Sequence, residues 1–128
     1  MSKQTILVVE DEKVLNEAYT TILTKEGYKV LSAFDGEEAL SVAETNRVDL
    51  ILLDLRMPKV NGIEFLKAYD LAEQDNPPIV IVFSNLDMQE EIDEAFALGA
   101  TKYMLKAWAS PKELVKLVKD NLSTKVKK

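Results

Sequence analysis

The 128-residue sequence contains no cysteine and no histidine. The first absence excludes disulfides, thiolate nucleophiles and zinc–thiolate sites. The second excludes Ser-His-Asp triads, histidine metal sites and any role as a phosphohistidine carrier. Acid–base or metal chemistry is thereby left to carboxylates, lysine, tyrosine and hydroxyls. Long hydrophobic runs are missing too. Nothing approaches the roughly 18 residues of a membrane span, and acids interrupt the first apolar stretch of "MSKQTILVVEDE" too early for a signal peptide. A soluble, cytoplasmic protein with no membrane contact is the simplest reading. Positive charge is outweighed, with 16 Lys and Arg against 22 Asp and Glu. A net charge of −6 disfavours nonspecific nucleic-acid binding, which needs a basic surface to release phosphate counterions.

What remains is an ordinary globular balance, 47% hydrophobic and 30% charged, at a length that suits one domain and leaves little room for a second DNA-binding or catalytic module. Five apolar, strand-like runs appear: "TILVV" at 5–9, "YKVLSA" at 28–33, "LILL" at 50–53, "PIVIVFS" at 78–84 and "KYML" at 102–105. The first, third and fourth are nearly continuous Val, Ile and Leu, as in parallel strands covered on both faces. The second and fifth alternate more, as edge strands do.

Helical periodicity fills the gaps. Val14, Leu15, Ala18, Tyr19, Ile22 and Leu23 make one stripe that Gly27 ends. Asp35 caps a second helix, with Glu38 three residues on. A third starts after Gly62 with Ile63, Leu66 and Lys67. Met88, Ile92, Ala95 and Phe96 line a fourth that Gly99 closes. Ser110, Pro111 and Glu113 open a fifth that buries Leu114, Leu117, Val118 and Leu122. Strand–helix alternation repeated five times predicts a doubly wound α/β fold with a five-stranded parallel sheet and five helices. The domain is expected over residues 1–124, with a short, disordered basic tail at 125–128.

Parallel strands place all their carboxyl ends on one rim, where ligands of open α/β sheets bind. Glu10 and Asp11 leave the first strand there, Asp54 the third, Ser84 the fourth and Lys106 the fifth. Taken singly, an acid after a strand is commonly a helix cap, Ser84 a turn residue and Lys106 a surface lysine. Asp54 is harder to dismiss, because an apolar run leads straight into it. Three carboxylates converging at one rim would repel by several kcal/mol at an effective dielectric of ~20. Lys106 supplies one compensating charge, and a hard divalent ion such as Mg²⁺ supplies the other two. Such a site suits phosphoryl transfer to a carboxylate. Asp54 is the nucleophile, while Lys106, the metal and Ser84 receive the phosphoryl oxygens.

These stretches, "ILVVEDE", "DLILLDLRMPKVNGIEFL", "IVIVFSNLD" and "ALGATKYMLKAW", in this order and spacing, resemble the receiver domain of bacterial two-component response regulators over essentially the whole chain. The resemblance implies a CheY-like (flavodoxin-like) sheet of order 2-1-3-4-5. It implies phosphorylation of Asp54 by a histidine kinase or histidine phosphotransfer protein. Asp11 would be a direct metal ligand, Glu10 would act through water, and Arg56 would offer its backbone carbonyl. Ser84 and Tyr103 would be the switch pair, and Lys106 the partner of the phosphoryl group. "MP" at 57–58 and Gly62 would shape the loop behind the nucleophile.

The expected protein is a stand-alone receiver, a switch rather than a conventional enzyme. It would signal to a protein target through its fourth helix, fifth strand and fifth helix, with Trp108 as a half-buried neighbour. A degenerate receiver that binds partners without phosphorylation is the alternative. A haloacid-dehalogenase-like phosphatase would need an acid where Arg56 stands, and a nucleotide-binding module would need glycines in "EDEKV". Two departures from the family pattern stand out. Ala107 follows the lysine where proline is usual. A cis bond there would cost ~3–4 kcal/mol, so the loop is either trans and rearranged or strained. Asn85 follows the hydroxyl where a small residue is usual, and would narrow access to the phosphoryl group.

Overall fold

In the computed structural model, residues 3–57, 60–84, 89–108 and 110–126 are described; Pro58, Asn85, Met88 and the side chains of Ser84, Trp108 and residues 124–126 lie outside that description. The elements follow in order as β1 (Thr5–Val9), α1 (Lys13–Lys25), β2 (Lys29–Ala33), α2 (Gly36–Thr45), β3 (Leu50–Asp54) and α3 (Gly62–Tyr69). A 3₁₀ turn (Leu71–Glu73) leads to β4 (Ile79–Ser84), α4 (Gln89–Ala97) and β5 (Lys102–Leu105); a second 3₁₀ turn (Lys106–Trp108) leads to α5 (Pro111–Val126). The sheet is wholly parallel in the order β2-β1-β3-β4-β5, with the two alternating strands at its edges.

Period-2 alternation divides the strand side chains between two cores. Leu7, Val9, Ile51, Leu53, Val80 and Val82 pack under α2, α3 and α4, through residues such as Ala39, Phe65, Leu66 and Ile92. Ile6, Val8, Leu50, Leu52, Ile81 and Phe83 pack under α1 and α5, through Tyr19, Leu23, Leu114, Val118 and Leu122. Continuous apolar strands are thus needed because both sheet faces are dry.

Caps fix where the helices begin. Asp35 Oδ1 accepts from Glu38 N at 2.8 Å, and Glu38 Oε1 reaches back to Phe34 N at 2.7 Å. Asn61 and Glu64 form a reciprocal capping box at the start of α3, both bonds 2.9 Å long. Ser110 Oγ accepts from Glu113 N at 3.2 Å ahead of Pro111. Gly27 (φ +96°) and Gly99 (φ +111°) supply the left-handed residues beyond α1 and α4.

Three sequence expectations are corrected. Val14 is 78% exposed and Ala18 is exposed, while the buried residues of α1 are Asn16, Tyr19 and Leu23. The first turn of α1 lies at the rim of the sheet, where Val14 has no strand to pack against. Phe96 is half-exposed rather than core, because it sits at the open edge of α4. Finally, α5 continues to Val126, so the first residues assigned to a disordered tail are helical. Among the described residues, no helix is long and apolar enough to cross a membrane.

Candidate functional site

Register builds the site. Val9 pairs with Leu53, so Glu10 falls level with Asp54 on the neighbouring strand. Alternation also puts both on the α1/α5 face, continuing the series Ile6, Val8 and Leu50, Leu52. Asp54 is the last residue of β3 rather than the first of its loop, so the strand's hydrogen bonds hold its backbone.

Lys106 Nζ lies between the two carboxylates, 3.0 Å from Asp54 Oδ2 and 2.9 Å from Glu10 Oε1. Asp54 Oδ1 accepts from Arg56 N at 3.2 Å, and Glu10 Oε2 from Glu12 N at 3.0 Å. Both acids are buried, 4% and 1% exposed, which makes a missing partner expensive. Asp11 is exposed on the same rim, and one carboxylate oxygen from each of Glu10, Asp11 and Asp54 lies within 4.8 Å of the others.

The bond joining Lys106 to Ala107 is trans, as no described peptide bond is cis. The 3₁₀ turn Lys106–Trp108 therefore delivers the ammonium without the family's proline. Ser84 ends β4 opposite Leu105, and its hydroxyl lies outside the described residues. Tyr103 is not gathered into the cluster. It is 48% exposed, its ring edge-on to Phe96 at 6.2 Å on the α4 side. The Arg56 guanidinium turns outward to Glu91 at 3.4 Å, leaving its backbone beside Asp54.

Burial is the main force on the acids. It pushes the Glu10 carboxyl up to about 7, against the pull of Glu12 N–H and Lys106. It also raises Asp54, with Lys106 opposing. Burial works against the Lys106 charge, but the contacts with Glu10 and Asp54 outweigh it and hold the ammonium above its ordinary range.

A stability consequence follows from Glu10. Its folded carboxyl keeps a proton that the unfolded chain, near 4.5, has already released. The group's stabilisation is therefore full below about pH 4.5 and is lost as pH rises through about 7. Urea unfolding without metal should show wild type losing ground to Glu10→Gln between pH 5 and 8. A constant difference would place Glu10 outside the charge cluster.

The donor set fits a hard divalent ion. All three acids offer oxygen, and Lys106 Nζ at 2.9 Å is the only partner of buried Glu10 Oε1 among the described residues. Three carboxylates and one ammonium also leave two negative charges to balance. Mg²⁺ prefers one or two carboxylates and several waters, which suits exposed Asp11 beside buried Glu10.

Sequence reading missed Asn16. Its signal was a lone amide on an otherwise apolar helix face. Also missed were the cross-links of α4 to its surroundings, Arg56–Glu91 and Lys67–Glu94, the latter at 3.2 Å.

A parallel sheet of this order, with acids just after β1 and at the end of β3 and a lysine after β5, has the layout of a receiver-type domain. The sequence matches the response regulator receiver domain over residues 6–119, and the chain belongs to that family. The alkaline phosphatase synthesis transcriptional regulatory protein PhoP of Bacillus subtilis is 41% identical over 116 residues, covering 89% of this chain and 46% of PhoP. Response regulator SaeR of Staphylococcus aureus is 35% identical over 123 residues, covering 96% and 52%. Among solved structures, Vibrio cholerae chemotaxis protein CheY4 superposes with a TM-score of 0.84 at 30% identity, covering 93% of this chain and 98% of CheY4. A CheY-like receiver domain protein from Methanospirillum hungatei JF-1 gives 0.90 at 26%, covering 98% of each. The chain spans about half the length of the curated relatives it matches.

Proposed function

We infer that the chain is a phosphoacceptor switch, charged at Asp54 by a histidine kinase or a histidine phosphotransfer protein. The observation that carries this reading is Lys106 Nζ held within 3.0 Å of Asp54 Oδ2 inside a buried acidic cluster. An Asp54 carboxylate oxygen attacks the phosphorus of a phosphohistidine. The O–P bond forms as the N–P bond breaks, and the imidazole keeps the electron pair and takes a proton from water. Lys106 would pair with the phosphoryl oxygens, and Ser84 would hydrogen-bond one of them. The charge at Asp54 passes from −1 to about −2, and that change is the signal.

Asp11 and Asp54 would hold Mg²⁺ directly, Glu10 through water, and Arg56 through its carbonyl. When bound, the ion neutralises phosphoryl oxygens. The chain's own contributions are to hold the nucleophile rigid at the end of β3, to keep it dry, and to supply the Lys106 charge. Slow hydrolysis of the aspartyl phosphate would reset the switch. This is not a conventional enzyme.

Output runs to a protein target through α4, β5 and α5, with Ser84 and Tyr103 as the switch pair. Support comes from Phe96 and Tyr103, which expose 38% and 48% of their surface side by side on that face. A cytoplasmic setting without nucleic-acid contact by this domain completes the reading, in keeping with a net charge of −6.

The test is incubation with acetyl phosphate. With Mg²⁺ it should place one phosphoryl group on the peptide containing Asp54, and with EDTA almost none. Absence of label under both conditions would support the phosphorylation-independent module instead.

A further inference from the structure

Asn16 is 1% exposed on the face of α1 that packs on the sheet. A buried amide without partners is destabilising, so its bonds reveal what it holds. Asn16 Nδ2 donates to the carbonyl of Glu10 at 3.0 Å and to that of Ala33 at 3.1 Å. These are the carbonyls at the ends of β1 and β2, and Glu10 N itself donates to Ala33 O at 3.1 Å. Asn16 Oδ1 accepts from Thr20 Oγ1 at 3.3 Å, and Thr20 Oγ1 lies 3.1 Å from Ser32 Oγ. The amide is thereby oriented from behind while its two hydrogens clasp the place where the acidic pair leaves the sheet.

The Glu10 carbonyl belongs to the peptide group that carries Asp11. That group is planar, so fixing its oxygen fixes the plane from which Asp11 departs. No hydrogen bond among the described residues holds the Asp11 carboxylate, which is exposed, so its aim depends on its backbone.

We propose that Asn16 is a positioning residue that sets the affinity of the Glu10–Asp11–Asp54 cluster for its divalent cation by fixing the Glu10–Asp11 peptide. The proposal rests on the metal-assisted reading above. Asn16 never touches the ion. It acts as outer partners of metal ligands do, whose loss typically weakens binding by about 10–100-fold.

The experiment is a calorimetric Mg²⁺ titration of the intact chain, with urea unfolding in EDTA as a separate measure of fold. Asn16→Leu keeps the volume and removes both donors. It should weaken Mg²⁺ by about tenfold or more, while acetyl phosphate labelling recovers to near the wild-type rate once Mg²⁺ is saturating. Thr20→Val leaves the amide but removes its rear support, and should shift the affinity less, in the same direction. A merely structural residue would lower stability and leave the Mg²⁺ affinity alone. A folded Asn16→Leu with wild-type affinity overturns the proposal. Should that variant fail to fold, a folded Thr20→Val with unchanged affinity does the same. Asp11→Asn separates the two levels. If wild type binds no Mg²⁺, or Asp11→Asn binds it equally well, the metal site itself is wrong and this inference falls with it.

Discussion

Lys106→Met should be far less stable than wild type at pH 8 and only modestly less stable at pH 5. The substitution keeps most of the side chain's length and removes the one ammonium held between two buried acids. Glu10 and Asp54 already have raised carboxyl pKa values because they are buried, and Lys106 is what opposes that rise. Without it both move further above their ordinary values of 4.5 and 3.8. The folded variant then holds protons that the unfolded chain gives up, so its stability falls as pH climbs. Breaking a buried pair by removing one partner costs roughly 3–5 kcal/mol, and the loss at pH 8 should approach the lower figure because the lysine is partly exposed. Urea unfolding at the two pH values checks this, and added Mg²⁺ should restore part of the loss at pH 8. An equal deficit at both pH values would mean that Lys106 matters through packing. The variant should still take label from acetyl phosphate, without the change in Trp108 fluorescence expected of wild type.

Gly62→Ala is expected to damage the site from behind. A Cβ there would lie 2.7 Å from the Asp54 carbonyl oxygen and 2.8 Å from Leu55 Cα, both backbone atoms that no side-chain rotation can clear. Gly62 N also donates to Leu55 O at 3.1 Å, so the start of α3 is seated directly on the end of β3. Overpacking of this kind typically costs about 1–3 kcal/mol. The larger effect should be on labelling, since a misplacement of about 1 Å in a reacting group can lower rates by about 10²-fold. Gly27→Ala is the control. Its Cβ meets nothing within 4 Å, yet φ is +96°, so it should lose about 1–2 kcal/mol and label normally. If both variants label at the wild-type rate, Gly62 is only a packing residue.

Much of this was legible in the sequence because the signals were local. Continuous Val, Ile and Leu on strands 1, 3 and 4 reported a sheet covered on both faces, and the cores under both faces contain those side chains. Asp35, Ser110 and Pro111 marked helix starts through bonds that span three residues. What stayed hidden depended on distance along the chain. Nothing in "KAW" tells whether a trans turn can aim its lysine, because that is settled by strands whose partners lie far away. The family resemblance gives Glu10 only a role toward the metal through water. Its direct ion pair with Lys106 needed register between strands before it became visible. The misplacement of Val14 and the silence on Asn16 share a reason. Periodicity identifies the face of α1 but not where the sheet beneath it ends, nor which polar group finds carbonyls there.

One consequence of the strand order concerns timing. Lys106 and Asp54 are 52 residues apart, and β4 must lie between their strands before they can meet. Contacts of such long range are slow to close because loop entropy opposes them until the intervening strand has docked. A nascent or clipped chain that stops short of β5 holds Asp54 and its acidic neighbours, but not the lysine that makes the cluster tolerable. Such a fragment leaves its buried acids without their counter-charge, and its rim should be poorly ordered. The acidic rim is thus completed only when the last strand has been laid down, and a chain shortened before β5 should unfold more readily than the whole one.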